Sequence, residues 1–210
     1  MTKMIQLWHG GRDLESDYRN PKQPRKNRWE HGPGLYLTTH YETARDYASG
    51  GGKTYQVSVE LGDNIKNIEI NLDESLHFIQ DYVVGKKKQI VIDDIHNNLK
   101  RLNKTDTVNA EVFLNLLFNH DALKGEKILK LNRFLVENNV DFGLVNNFKG
   151  RDETVMVIFN LQKIKKVRAV PAKEVSLDEY VIDVSTLEEL NPYKNKMKNS
   201  SLEERFLSTK

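Results

Sequence analysis

Leu7-Trp8-His9-Gly10-Gly11-Arg12, taken with Gly34-Leu35-Tyr36-Leu37-Thr38 and Tyr47, is the part of the chain around which the rest is arranged. The apolar run from Met4 to Trp8 reads as a short buried strand, and it stops on a histidine and two glycines. An imidazole is thereby set at a strand end, where backbone lacking a Cβ comes close to a ligand. Strand ends of this kind are common seats of binding sites.

Working outward, Asp13 to Pro33 reads as a long loop, with prolines at 21 and 24 and the basic residues Lys22, Arg25, Lys26 and Arg28. Loops of such length in a compact domain are usually functional. Gly34 to Thr38 resumes as a strand, and Thr39 is the expected N-cap of a helix to about Ala48, stopped by Ser49-Gly50-Gly51-Gly52. Thr54 to Leu61 alternates with period two, the pattern of a half-buried strand, and Gly62-Asp63-Asn64 turns it.

The period then changes. Leu72, Leu76, Ile79 and Val83 fall at helical spacing, as do Ile92, Ile95, Leu99 and Leu102. Thr107 is the expected cap of a third helix through Val108, Val112, Leu116 and Leu117, and Leu123, Ile128, Leu131 and Leu135 mark a fourth. Residues 71–139 are therefore expected to form a helical insertion. Val140 to Val145 is strand-like, Asn146 to Arg151 a polar turn, Thr154 to Phe159 a central strand, and Ile164 to Val170 one strand more. No internal repeat is visible in the residues, and the charged tail of the 172–210 extension is expected to be partly flexible.

Composition narrows the chemistry. At 210 residues, 38% hydrophobic and 30% charged, the chain reads as one globular domain. There is no cysteine, which excludes disulfides, thiolate nucleophiles and cysteine-ligated zinc. No apolar stretch has the length of a membrane span and no signal core opens the chain, so the expected location is cytoplasmic, away from membranes. The net charge of +2 calls for no nucleic acid by itself. Lys86-Lys87-Lys88 with Lys100, Arg101 and Lys104 is a candidate phosphate-contacting face, against the plainer reading of a solvated helix surface. His9, His31, His40, His77, His96 and His120 have no ligand spacing, so no metal site is expected. Gly50-Gly51-Gly52-Lys53 lacks the spacing of a phosphate-binding P-loop.

Taken one at a time, His9 is an ordinary strand-end histidine, Tyr36 a packed tyrosine and Glu153 a solvated strand leader. Their order is more telling. His9 in Leu-Trp-His-Gly-Gly-Arg, Tyr36 in Gly-Leu-Tyr-Leu-Thr, Tyr47 on the following helix, and Glu153 opening Glu-Thr-Val-Met-Val-Ile-Phe-Asn resemble the His-Tyr-Glu signature of the ADP-ribosyltransferase superfamily. The likeness is to the catalytic domain of the poly(ADP-ribose) polymerases and their small bacterial and phage relatives. It covers residues 5–62 and 140–170 and leaves out the insertion and the tail. Two departures stand out: Ala44 occupies the place of a serine that often binds the nicotinamide amide, and the donor loop is short and basic.

The resemblance implies an α+β fold, a split β-sandwich of two packed antiparallel sheets holding NAD in the cleft between them, with residues 1–171 as the catalytic unit. It implies that His9 binds the adenosine ribose, that the Gly10 backbone grips the carboxamide, and that Tyr36 and Tyr47 sandwich the nicotinamide. Arg12 joins the NAD-binding set. Glu153 is implied to bind the 2′-hydroxyl of the nicotinamide ribose, stabilise the oxocarbenium-like transition state and polarise the acceptor, with His9 and Tyr36 beside it in the catalytic set. The basic loop would lie over the pyrophosphate or an anionic acceptor. The expected function is NAD-dependent mono-ADP-ribosyl transfer to a protein, RNA or DNA acceptor, in a toxin or phage-conflict effector that an antitoxin would restrain. Two alternatives are a non-catalytic NAD- or ADP-ribose-binding module and an NAD-dependent RNA 2′-phosphotransferase.

Overall fold

The computed structural model describes residues 3–12, 14, 31–146, 148–150 and 152–184, with the main chain only at Lys149. The basic residues Lys22, Arg25, Lys26 and Arg28 and the tail beyond Val184 lie outside the described residues. In chain order the elements are β1 (Met4–Gly11), β2 (Leu35–Thr38), α1 (Tyr41–Tyr47), β3 (Lys53–Glu60), β4 (Glu69–Asn71), α2 (Leu72–Tyr82), α3 (Lys86–Leu102), β5 (Thr107–Asn109), α4 (Ala110–Asn119), α5 (Glu126–Glu137), β6 (Phe142–Val145), β7 (Val155–Ile158) and β8 (Ile164–Ala169). The fold is mixed α+β around an antiparallel sheet.

Six strands form that sheet in the order β6-β7-β2-β1-β3-β8. The alternation along β1 and β3 decides their faces: Ile5, Leu7, Val57 and Val59 point one way, and Trp8 the other. β1 is paired to β3 along its whole length, from Met4↔Glu60 to Gly11↔Lys53. To β2 it is joined by one residue pair, Trp8↔Thr38. The sheet thus consists of two three-stranded halves, β8-β3-β1 and β2-β7-β6, meeting at a single rung. One apolar cluster draws Ile5, Leu7, Val57 and Ile164 from the first half and Leu37, Phe142, Met156 and Ile158 from the second. This corrects the expectation of two separate sheets. Period-two alternation shows which face a strand buries, and it is silent on whether two edges share a rung.

The insertion holds an internal pseudo-twofold that the residues conceal. β4 and β5 pair antiparallel, Glu69↔Asn109, Ile70↔Val108 and Asn71↔Thr107. Asn71 caps α2 by accepting from the backbone of Asp73 and Glu74, and Asn109 caps α4 by accepting from Glu111 and Val112. Across the axis Leu72 N donates to Asp106 O and Ala110 N to Ile68 O, each at 2.9 Å. The second helix of each half follows a glycine of nearly the same geometry, Gly85 (φ 67, ψ −151) and Gly125 (φ 59, ψ −134), where a Cβ would be strained. The expected cap at Thr107 is therefore corrected: Thr107 lies in a strand, and Asn109, two residues on, is the cap.

Ile79, Ile95, Leu117 and Leu131 fill the insertion's core, which continues onto Val157 and Phe159 of the sheet. Its two ends are pinned together at the sheet. Asp141 and Phe142 donate their N–H groups to Asp63 O, and the Asp141 carboxylate accepts from Asp63 N (2.9 Å), Asn160 Nδ2 (2.8 Å) and Lys163 Nζ (3.3 Å). From α5, Asn132 Nδ2 donates to Pro33 O (2.5 Å) and Phe159 O (3.2 Å), tying the insertion to the segment that leads into β2.

After β8, residues 171–184 run back over α1. Trp8 Nε1 donates to Glu179 O (2.8 Å), Tyr41 N to Tyr180 O and Ile182 N to Thr39 O, each at 2.9 Å. The Trp8, Tyr41 and Tyr180 rings pack in steeply tilted, edge-on arrangements at successive centroid spacings of 5.0 Å. Among the described residues no helix is long and apolar enough to cross a membrane.

Candidate functional site

Beyond the single rung the two half-sheets part, and a cavity of about 340 Å³ opens between them. Its wall takes Trp8, His9 and Gly10 from β1, Tyr36, Leu37 and Thr38 from β2, Thr43, Ala44 and Tyr47 from α1, Val155 from β7, and His31 and Phe148 from the adjoining turns. Wider hollows of about 420 Å³ between α2 and α5 and about 740 Å³ on the outer side of α1 are more open. The first is rimmed by charged side chains around Phe78, Tyr82 and Phe134, and the second by small residues with Tyr41, Arg45, Asp46 and Lys53; neither includes any of His9, Gly10, Tyr36, Tyr47 or Glu153.

The strand geometry explains why the peptide at Gly10 is exposed to this cavity. Thr54 O accepts from Val170 N, so the N–H and C=O of Thr54 face β8. Its partner across the ladder, Gly10, must then turn its own N–H and C=O away from β3, toward β2. A continued ladder would give Gly10 the carbonyl of Tyr36. That carbonyl accepts instead from His9 Nδ1 at 2.8 Å. The imidazole ends the ladder, and the Gly10 peptide is presented to the gap. Glycine is required here because a Cβ would lie 2.6 Å from Ala44 C and closer still to Ala44 O on α1.

A carbonyl can only accept, so His9 carries its proton on Nδ1 and keeps Nε2 bare, against Gly11. Burial lowers the His9 pKa from its ordinary value, and the bond to the Tyr36 carbonyl partly opposes this. Tyr36 is locked at both ends of its hydroxyl, which accepts from His31 N (3.0 Å) and donates to Gly32 O (2.9 Å). Tyr47 stands at the end of α1 and is well exposed.

Glu153 is 2% exposed and does not itself form the cavity wall. Its Oε1 accepts from Thr38 Oγ1 (2.5 Å) and its Oε2 from Thr43 Oγ1 (3.0 Å), and both threonines do line the wall. The carboxylate is thus one hydroxyl behind the surface, its charge held by two donors, as a buried anion requires. Thr39, the expected N-cap, is drawn to the neighbouring strand instead. It bonds Thr154 through N (3.1 Å) and Oγ1 (3.2 Å), fixing the start of β7 against β2. His40, in extended conformation and with no side-chain cap bond, takes the N-cap position of α1.

Of the residues singled out from sequence, His9, Gly10, Tyr36 and Tyr47 come together on one cavity, and Glu153 lies behind it. Arg12 does not join them; its guanidinium reaches Gly50 O at 3.4 Å, on the glycine turn after α1. The lysine face on α3 is also broken up. Its two clusters sit at opposite ends of a 17-residue helix, roughly 25 Å long at 1.5 Å per residue. Lys87 bonds Asp121, Lys88 bonds Gln80 O, and Lys104 pairs with Glu69. No group of three or more histidine or acidic side chains among the described residues is placed to hold a metal ion.

Sequence reasoning missed Thr38, Thr43 and Phe148 and treated His31 only as a non-ligand. The threonines had one signal: an acid beside a run of β-formers needs donors if it is buried, and hydroxyls at 38 and 43 were the available ones. His31 and Phe148 lie in turns, where no period points to a direction. No protein-family model, curated protein or solved structure matches the chain.

Proposed function

We propose that the chain is an NAD-dependent mono-ADP-ribosyltransferase of the split-sandwich ADP-ribosyltransferase type. The observation that carries this reading is the Gly10 peptide, turned into a cavity bounded by the Tyr36 and Tyr47 rings. An N–H and a C=O side by side are complementary to a primary carboxamide, and flanking aromatic faces suit a flat heteroaromatic ring. Nicotinamide has both features. It binds through backbone here, which accommodates Ala44 where a serine is common in the family.

Nicotinamide leaves NAD carrying the electron pair of the C1′–N1 bond, and needs no proton to do so. What the protein supplies is orientation of the ribose and stabilisation of its developing positive charge. Thr38 and Thr43 line the cavity with their hydroxyls donating back to the Glu153 carboxylate, which contributes its negative charge from behind them in a water-poor setting. Each carboxylate oxygen has a second lone pair, so Glu153 also takes a ribose hydroxyl where one reaches past the threonines. His9 contributes the bare Nε2 as an acceptor for a ribose hydroxyl.

The acceptor is a macromolecule, protein or nucleic acid, and the reading extends to a toxin or phage-conflict effector held in check by an antitoxin. Labelled NAD incubated with the protein and a cell lysate, then split between protease and nuclease, tests it. Release of nicotinamide with label lost to one treatment supports the reading and names the acceptor class. NAD binding without nicotinamide release supports the alternative of a non-catalytic ligand-binding module, which the burial of Glu153 favours.

A further inference from the structure

We propose that the hollow on the outer side of α1 is a second binding site, for a nucleoside monophosphate, either free or at the end of a nucleic acid strand. Helical spacing sorts α1 into two faces. Thr43 and Tyr47 turn to the cavity between the half-sheets. Tyr41, Arg45 and Ala48, at i, i+4 and i+7, turn to a hollow of about 740 Å³ whose other side is formed by Val170 and Pro171 after β8. That volume falls within the roughly 300–1,000 Å³ typical of small-molecule sites.

A buried hydroxyl on this wall asks for a partner. Tyr41 is 1% exposed, its ring packed against those of Trp8 and Tyr180. Its main-chain N–H donates to Tyr180 O, but its hydroxyl has neither donor nor acceptor among the described residues. Tyr55, equally buried, accepts from Leu14 N. Leaving a buried hydroxyl unpaired is costly, and buried polar groups in folded proteins are nearly always bonded. The hollow is the open space that Tyr41 borders, so what fills it supplies the missing bond.

The charged groups on the wall narrow the class of ligand. Arg45, Asp46 and Lys53 have no ion pair or side-chain hydrogen bond among the described residues. Arg45 and Lys53 suit a phosphate, the first as a planar fork and the second as a point charge. The Asp46 carboxylate only accepts, and it is complementary to the paired hydroxyls of a ribose. Ala48, Val170 and Pro171 offer small apolar surface to the face of a base. The Tyr41 hydroxyl both donates and accepts, so it meets a base edge of either polarity. Inorganic phosphate would use the cations alone, and an unphosphorylated nucleoside would leave them idle. Phosphate, sugar and base joined together use every group.

This site stands apart from the transferase reading, since affinity is measured without turnover and either can fail alone. Calorimetric titration of the full chain uses the four nucleoside 5′-monophosphates, with adenosine and ribose 5-phosphate as the two incomplete ligands. The monophosphates are expected to bind, and each incomplete ligand at least about 10-fold more weakly. Tyr41→Phe weakens the monophosphate by about 3- to 10-fold while Tm stays the same or rises, because the variant loses an unpaired hydroxyl. Arg45→Gln weakens it by about 10- to 100-fold and lessens its dependence on salt. A 5′-phosphorylated oligonucleotide separates the two sources: binding as tight as the monophosphate names a strand end, weaker binding names the free nucleotide, and both support the site. Absence of binding up to millimolar monophosphate overturns the proposal, as does an affinity unchanged in both variants, which places the ligand elsewhere. A Tyr41→Phe variant that loses several degrees of Tm also overturns it, because the hydroxyl then serves the fold.

Discussion

Gly10→Ala is the substitution that the geometry constrains most. The added Cβ would sit 2.6 Å from Ala44 C and 3.0 Å from Ala44 Cα, both main-chain atoms of α1. Ordinary contact begins near 3.4 Å and Ala44 O lies nearer still, so β1 and α1 must separate by roughly 1.5 Å. α1 is in no position to yield, because Tyr41 and Trp8 are bound to residues 179–182 on its other side. Overpacking of this kind costs about 1–3 kcal/mol, and in a chain of this length lowers Tm by about 2–12 °C. The second effect is on the slot: the Gly10 N–H and C=O move relative to Tyr36 and Tyr47. A displacement of this size costs roughly 100-fold in nicotinamide release. Thermal unfolding with and without NAD, alongside turnover, separates the two effects. An unchanged Tm refutes the packing argument; a lowered Tm with wild-type turnover refutes the amide slot.

Three further outcomes are expected. Glu153→Gln removes the charge behind Thr38 and Thr43 and keeps an acceptor oxygen for one of the two hydroxyls, the other meeting an amide donor; nicotinamide release falls about 100- to 1000-fold and calorimetric NAD affinity stays close to wild type, so full activity would end the assignment. Asp141→Ala leaves the Asp63 N–H, Asn160 and Lys163 without their shared acceptor and destabilises the fold by about 3 kcal/mol, seen as a urea midpoint shift without a change in slope. Because burial depresses the His9 pKa, the unfolded chain binds more protons there, so stability rises with pH and is lost as pH falls below about 6.5 toward the folded value. His9→Gln flattens that acid slope, and an unchanged slope in chemical denaturation at pH 5 to 7 would contradict the assigned burial.

The sequence carried the strands and the helical insertion because each has a period that burial enforces. It carried His9, Gly10, Tyr36 and Tyr47 because a strand end and the helix after a strand are places where direction follows from register. Thr107 went astray because a threonine ahead of an apolar run satisfies the cap rule, whereas the β4 partner that makes it a strand residue lies far back in the chain. Thr39 went astray for the same reason, its hydroxyl being claimed by Thr154 across the sheet. Arg12 continues the motif in sequence, yet one residue beyond the paired strand its direction is set by the glycine turn. The depth of Glu153 could not be read from β-rich flanks, since it depends on α1 bringing Thr43 over it. The twofold in the insertion is a matter of hydrogen bonds and backbone angles, with side chains that have little in common.

The pinned ends of the insertion also bear on how quickly the sheet can assemble. Asp63 and Asp141 are 78 residues apart along the chain, and although β6 pairs with β7 locally, it cannot dock on the Asp63 turn until they meet. Closing a loop of that length from an open coil is slow and entropically costly. The insertion makes mostly local contacts, and once its two halves have folded about their shared strands the distance left to close is that of a few residues. By the logarithmic cost of loop closure this spares roughly 2 kcal/mol in the barrier to forming the sheet. The longest detour in the chain is then a folding aid, and a chain with the insertion unpaired at β4 and β5 would fold more slowly even where its final sheet is the same.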